Sequence, residues 1–301
     1  MKLKLTIVLI ASLLLTCCAC AKNAPEEPST AADVSAAADV QIDSSILYNA
    51  NDLVIRYLGK GVAPNAEGAE ESYRVSIENK TENDADVSIF TSIVNGFTIE
   101  VTFNTEIDDM VETARTVSAP AGQTIESWLT VNQYMAGRCG LTVPQEIVLR
   151  FDVRDPDAQK RLFITDPVEI RTTDEALQQA YNEAGDVVYD KDGIRLIFQG
   201  VDKEQRGGVM FLMQVINTSD RDICVNAISG TVDGAVLEPW YASYVPAGSR
   251  SIETLGFSTE FHSVGTLALT FSISAYDFAA EKPGEKIAEN VTWSGTVNAE
   301  N

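Results

Sequence analysis

The chain has one histidine in 301 residues, and that scarcity excludes more chemistry than any motif supplies. A single imidazole, His262, cannot build a multi-histidine metal site or an HExxH helix, and it leaves a Ser/His/Asp triad only one base. No Gly-x-Ser-x-Gly elbow accompanies it. Basic residues are equally short: 22 Lys and Arg face 44 Asp and Glu, a formal net charge of −22. Such a surface repels nucleic acid and anionic lipid alike, so no nucleic-acid partner is expected, while cationic partners are permitted. Three of the five cysteines crowd into residues 17–20, leaving only Cys139 and Cys224 beyond them. These two fall at non-matching places in the chain and read as isolated thiols rather than a disulfide.

Long apolar runs are also absent, with one exception at the start. After Lys2 and Lys4 comes an apolar run from Leu5 to Leu15, then Thr16-Cys17-Cys18-Ala19-Cys20. The run is too short for a permanent membrane-spanning helix, and small residues follow it. The stretch resembles a bacterial lipobox, which ends in the cysteine that receives lipid. Cys20 follows the small Ala19 and is the favoured frame. Cys18, with Leu15 three residues upstream, is the alternative. The expectation is a signal peptide over 1–19 and a membrane partner reached through an N-terminal lipid, each buried methylene adding about 0.8 kcal/mol. Residues 20–45 carry Pro25, Pro28 and an alanine-acid stretch with few large apolar side chains, and read as a flexible tether.

What the rest of the chain has is a repeat. Tyr48 with the Asn51-Asp52 turn recurs as Tyr189 with Asp192-Gly193, at an offset of 141. Tyr73-Arg74-Val75-Ser76-Ile77-Glu78-Asn79 recurs as Phe211-Leu212-Met213-Gln214-Val215-Ile216-Asn217, at 138, and the same offset carries Asn95-Gly96 onto Asp233-Gly234. Pro120-Ala121-Gly122 matches Pro246-Ala247-Gly248. Ile147, Leu149, Phe151 and Val153 match Leu267, Leu269, Phe271 and Ile273 at 120. The shrinking offset means that the second copy has lost residues, which places the losses in loops.

Each copy reads as β. Phe97, Ile99, Val101 and Phe103 alternate with Thr98, Glu100 and Thr102, which marks a half-buried strand with the polar set facing solvent. Glycine, proline and Asx turns punctuate such runs at sandwich-like intervals. The fold class is all-β: two tandem immunoglobulin-like sandwiches over 46–171 and 186–301. Between them Thr172 and Glu175 have capping-box spacing and Gly185 is placed to end a helix, so 172–185 is expected to be a short helical connector.

The Tyr-Asp hairpin, the strand ending in Asn, the Asn-Gly or Asp-Gly turn and the Pro-Ala-Gly bend together resemble duplicated immunoglobulin-like surface lipoproteins of gut-dwelling Gram-positive bacteria. The likeness spans roughly 47–298. It implies a cell-surface setting and no particular activity.

Sharper chemistry is thin. Acidic pairs such as Asp108-Asp109 and Asp155/Asp157 are what so acidic a composition yields. Asp186, Asp190 and Asp192 could in principle gather calcium between the copies, but their spacing is not that of an EF-hand and a hairpin turn accounts for them. No metal or other cofactor is therefore expected. Asn79-Lys80-Thr81, Asn217-Thr218-Ser219 and Asn290-Val291-Thr292 match the glycosylation pattern, yet strand-end turns explain the first two. Trp240 and Tyr241, an aromatic pair in a loop-like setting, are the candidate contacts for a ligand. The leading expectation is a non-enzymatic cell-surface lipoprotein that binds an extracellular protein or glycan, or acts as a spacer. The alternative is an extracellular hydrolase using paired carboxylates in a cleft between the sandwiches.

Overall fold

A computed structural model describes residues 45–63, 71–107, 110–173, 175–202, 208–278 and 280–300. The signal peptide, most of the tether, Cys18, Cys20 and Asp108-Asp109 lie outside these residues. The first half contains β1 (Ser45–Ala50), β2 (Leu53–Val62), β3 (Glu71–Asn79), β4 (Ala85–Val94), β5 (Phe97–Thr98) and β6 (Val101–Ile107). It continues through β7 (Met110–Ala114), β8 (Thr116–Ala119), β9 (Thr124–Val131), a one-and-a-half-turn helix α1 (Gln133–Arg138), β10 (Glu146–Asp155), β11 (Lys160–Ile164) and β12 (Val168–Arg171). The second half contains β13 (Asp186–Lys191), β14 (Ile194–Val201), β15 (Phe211–Asn217), β16 (Ile223–Val232) and β17 (Ala235–Leu237). It ends with β18 (Pro239–Trp240), β19 (Ala242–Val245), β20 (Arg250–Phe257), β21 (Ser263–Asp277) and β22 (Lys282–Glu300). No helix among the described residues is long and apolar enough to cross a membrane.

The strands form sandwich-like sheets around two hydrophobic cores. One core gathers Tyr73, Phe97, Phe103 and Phe151, the other Phe211, Met213, Leu255 and Phe271. Alternation puts these residues inside: Phe97, Ile99, Val101 and Phe103 are each at most 1% exposed.

Residues matched between the two halves of the sequence hold matching places in strand register. Val87 lies opposite Val117 and Val153, and its counterpart Val225 lies opposite Ser243 and Ile273. Ile55 pairs with Ile77 as Leu196 pairs with Val215. Even irregularities repeat. The ladder shifts at Tyr57/Gly59 and at Phe198/Gly200, where the glycines take φ of 114° and 109°, a conformation that side chains rarely tolerate. Asn79 and Asn217 do the same work. Each donates from Nδ2 to the carbonyl four residues on (Asn83 or Arg221) and to the end of a neighbouring strand (Ala119 or Val245), and accepts the backbone N–H of Thr81 or Ser219 on Oδ1.

The halves differ where the offset drops from 138 to 126. In the first half the chain after β5 switches sheets at Ile99-Glu100, and β6 runs along β9 with β7 as its outer hairpin partner. In the second half only the two residues of β18 remain to pair with β20. The loss is therefore a β-hairpin and not merely loop. β5 bridges β20 in parallel at Phe97–Arg250, joining strands of both halves into one continuous sheet. Ile252 of β20 packs into the first core rather than the second.

No helix forms over the described residues of 172–185, which corrects the expected connector. Backbone groups that a helix would pair internally are taken by the two halves instead. Thr172 N–H donates to Gln145 O (3.0 Å), Gln178 N–H to Gln145 Oε1 (2.9 Å), and Asn182 O accepts from Gln199 Nε2 (3.3 Å). Tyr181 packs on Phe97, donates to Asn95 O, and lies under the Arg250 guanidinium at 3.8 Å. Tertiary contacts outweigh modest helix propensity here. Gly185, read as a helix terminator, is needed for another reason: a Cβ there would overlap the Phe198 carbonyl.

Candidate functional site

The residues singled out in the sequence separate in space. Tyr241 is 6% exposed and meets Phe271 edge to face, so it is a core residue and not a ligand contact. That corrects half of the expected pair. Trp240 is 47% exposed, but its Nε1 donates to Phe257 O (3.0 Å) and one ring face rests on Gly256, where a Cβ would overlap the indole. His262 is exposed in a bend between β20 and β21. Cys139 and Cys224 are free and buried, and burial pushes both thiols up, that of Cys139 to about 12. Asp192 sits in a turn at φ 55°, and Asp190 leans toward Arg195 at 3.5 Å. No group of three or more Asp, Glu, His or Cys side chains converges as a metal site among the described residues.

The feature that does gather chemistry is a cleft of about 660 Å³ between the halves. Its frame is stiff. At one end Arg138, closing α1, makes an ion pair with Asp202 that is 7% and 1% exposed, and donates from Nη1 to Thr254 Oγ1 at 2.6 Å. At the other end Arg154 and Arg161 of the first half, both paired with buried Asp152, reach Glu281 of the second. Burial raises the cost of separating the Arg138–Asp202 charges. Across the middle Phe90 meets Phe278 edge to face at 5.7 Å.

One wall is aromatic. Phe278 meets Tyr276 at 4.9 Å, and Tyr276 meets Tyr244 at 4.6 Å, so rings line the cleft in sequence from Phe90. The floor is acidic and polar. Glu100 stands where the chain switches sheets, its backbone held by Asn132 N–H donating to Glu100 O. Its two carboxylate oxygens accept from Arg115 Nε (2.8 Å) and Asn132 Nδ2 (3.1 Å). Burial pushes this carboxyl up, but those hydrogen bonds and the Arg115 charge outweigh it and hold it below the usual range. Thr98 Oγ1, buried in the same lining, finds no hydrogen-bond partner among the described residues.

Glu253 is the opposite case. The repeat aligns it with Ser127, which is buried, donates to Asn104 O (3.1 Å) and lies 2.8 Å from Thr105 Oγ1, both on β6. The second half has no strand there. Glu253 therefore keeps the inward-facing position but opens onto the cleft, half-buried, with no hydrogen bond or ion pair to its carboxyl among the described residues. Burial raises it from 4.5 to about 7; the Arg138 charge lowers it and the Glu100 charge raises it further. Glu100 and Thr98 belong to the set expected to face solvent. They face this cleft instead, because the second half stands against that side. A charged residue at a repeat position that is buried and neutral in the other copy was the available signal for Glu253.

No family model and no curated protein matches the chain. Among solved structures, the YadV chaperone is similar at 13% identity, covering 81% of this chain and 99% of its own, with a TM-score of 0.22. A complex of the SafA pilin with the SafB chaperone from Salmonella enterica gives 14% identity, 80% and 95% coverage and a TM-score of 0.19. A chaperone–tip subunit complex of Csu pili from Acinetobacter baumannii gives 13%, 71%, 88% and 0.18. At TM-scores this low none of these likenesses bears on what the chain binds.

Proposed function

We propose that the chain is a lipid-anchored surface protein whose two tandem immunoglobulin-like sandwiches act as one rigid, non-catalytic binding module, with its ligand in the cleft between them. The lipobox-like Cys20, or Cys18 in the alternative frame, provides the anchor. The observation that supports binding over a mere spacer is the cleft itself. A spacer needs stiffness alone, whereas here the two halves surround a concave site with an aromatic wall and a carboxyl that has no ion pair or hydrogen bond among the described residues. Pre-organised sites of this kind lose little entropy on binding.

A hydrolase is the second reading, because two carboxyls in one cleft are pushed in opposite directions, as an acid and its partner base require. Against it, both Glu100 oxygens are already occupied by Arg115 and Asn132, and Trp240 stands outside the cleft lining. Screening the purified chain on glycan and peptide arrays separates the two readings. Saturable binding without turnover, weakened severalfold by Tyr276→Ala and kept in Trp240→Ala, supports the module. Hydrolysis of a retained ligand that Glu253→Gln abolishes would establish the enzyme. The anchor has its own measurement: membrane fractionation lost with Cys20→Ala supports that frame, and loss with Cys18→Ala alone would replace it.

A further inference from the structure

The charges that line the cleft are almost all spent within the protein. Arg115 is committed to Glu100, and Glu281 to Arg154 and Arg161. Glu253 is the remaining carboxyl in the lining, and the groups that face it are few. Arg138 on α1 is already engaged by Asp202, Glu100 stands across the cleft at the sheet switch, and the Tyr241 hydroxyl and Cys139 thiol are neutral. An ionised carboxylate in that place forms no ion pair among the described residues, Arg138 acting on it only at longer range, and the aromatic rings that share its cleft present π-faces that attract cations. The protein already uses this wall so: the Arg161 guanidinium lies 5.2 Å from the Phe90 ring centre. The rings meet at 81°, 80° and 59° in succession, which gives a faceted wall rather than a flat shelf. A sugar ring wants a flat shelf, whereas a flexible methylene stem follows facets.

We propose that the cleft recognises an alkylammonium group, with Glu253 as its counter-ion and Phe90, Phe278, Tyr276 and Tyr244 against its stem. This deepens the reading of the cleft as the ligand site and rests on it. The ammonium is carried either by a lysine side chain of an extracellular partner or by a free amine; the chemistry is shared. A single carboxylate is too few ligands for a divalent cation, but it suits a monovalent one. The negative potential of a chain with net charge −22 draws such ligands in.

Calorimetric titration of the purified chain at pH 8 tests this with three probes: n-butylammonium, Nα-acetyl-lysine N-methylamide, and n-butanol as the uncharged stem. Both ammonium probes are expected to bind at least tenfold more tightly than n-butanol. Glu253→Gln should remove most of that preference, Tyr276→Ala should weaken both ammonium probes severalfold, and Glu238→Gln, an exposed carboxylate outside the cleft, should change nothing. Equal affinity for the two ammonium probes points to a free amine, and tighter binding of the lysine probe to a protein partner. Equal binding of n-butanol, or an unchanged preference in Glu253→Gln, overturns the proposal. A cleft-dependent ligand without a cation overturns it too but leaves the site in place. Silence toward every probe, glycan and peptide removes both.

Discussion

Replacing Glu253 with glutamine keeps the shape of the side chain and removes its titration, so the variant isolates what the lost hairpin costs the fold. The carboxyl titrates near 4.5 when free and at about 7 in place. Below pH 4.5 both folded and unfolded chains hold the proton, and the group contributes nothing unfavourable. Between 4.5 and 7 the unfolded chain releases the proton while the folded chain keeps it, so stability falls as pH rises. Above 7 the folded chain must ionise a half-buried carboxyl with no ion-pair partner among the described residues, and the loss is complete. At 1.36 kcal/mol per pH unit, and allowing for partial solvent screening, it amounts to roughly 2 kcal/mol. For a fold of this size that corresponds to about 4–8 °C in Tm. Thermal unfolding followed by circular dichroism at pH 4.5, 6 and 8.5 reads it directly. Wild type and Glu253→Gln should superimpose at pH 4.5, and the variant should melt about 4–8 °C higher at pH 8.5. A constant offset at every pH would mean that glutamine acts through packing. A variant less stable than wild type at pH 8.5 would mean that the carboxylate has a partner and the reasoning fails.

Three further outcomes can be measured. Arg138→Ala removes one member of a buried ion pair across the halves and should cost about 3–5 kcal/mol in urea unfolding, whereas an exposed pair such as Lys286–Glu289 should cost under about 1 kcal/mol. Asn79→Ala and Asn217→Ala each strip equivalent strand-end hydrogen bonds and should destabilise by similar amounts, about 1–3 kcal/mol; a large difference between them would break the structural equivalence of the copies. Cys139 and Cys224 should react with a thiol reagent only at the rate of unfolding, since both are buried and their thiols are held neutral.

The repeat was legible because turns have local chemistry. Asn51-Asp52, Asn95-Gly96, Asp192-Gly193 and Asp233-Gly234 all take positive φ at both positions, as such pairs do in hairpins. The strand alternation of Phe97 to Phe103 was equally readable, but not its break at Ile99-Glu100, since a strand that changes sheets keeps its inward set unchanged. The helix expected at 172–185 failed because caps and propensity are local, while Tyr181, Gln178 and Asn182 are claimed by surfaces distant in sequence. The helix that does form, α1, spans six residues, too few for periodicity to register, although its Asn132 N-cap accepts Met135 N–H as such residues do. The cleft was least legible. Glu100 read as solvent-facing and Glu253 drew no reading, because neither acquires meaning until the second half, short of one hairpin, stands against the first.

Filling the cleft is the most direct test. Ala242 is exposed, lines the cleft and belongs to β19 rather than to either core, so Ala242→Trp blocks the space without disturbing the fold. With a ligand from the array screen in hand, calorimetry on wild type, Ala242→Trp and Trp240→Ala should show binding abolished by the first substitution and retained in the second. Binding that survives Ala242→Trp, or that disappears with Trp240→Ala, would place the ligand elsewhere and contradict the assignment.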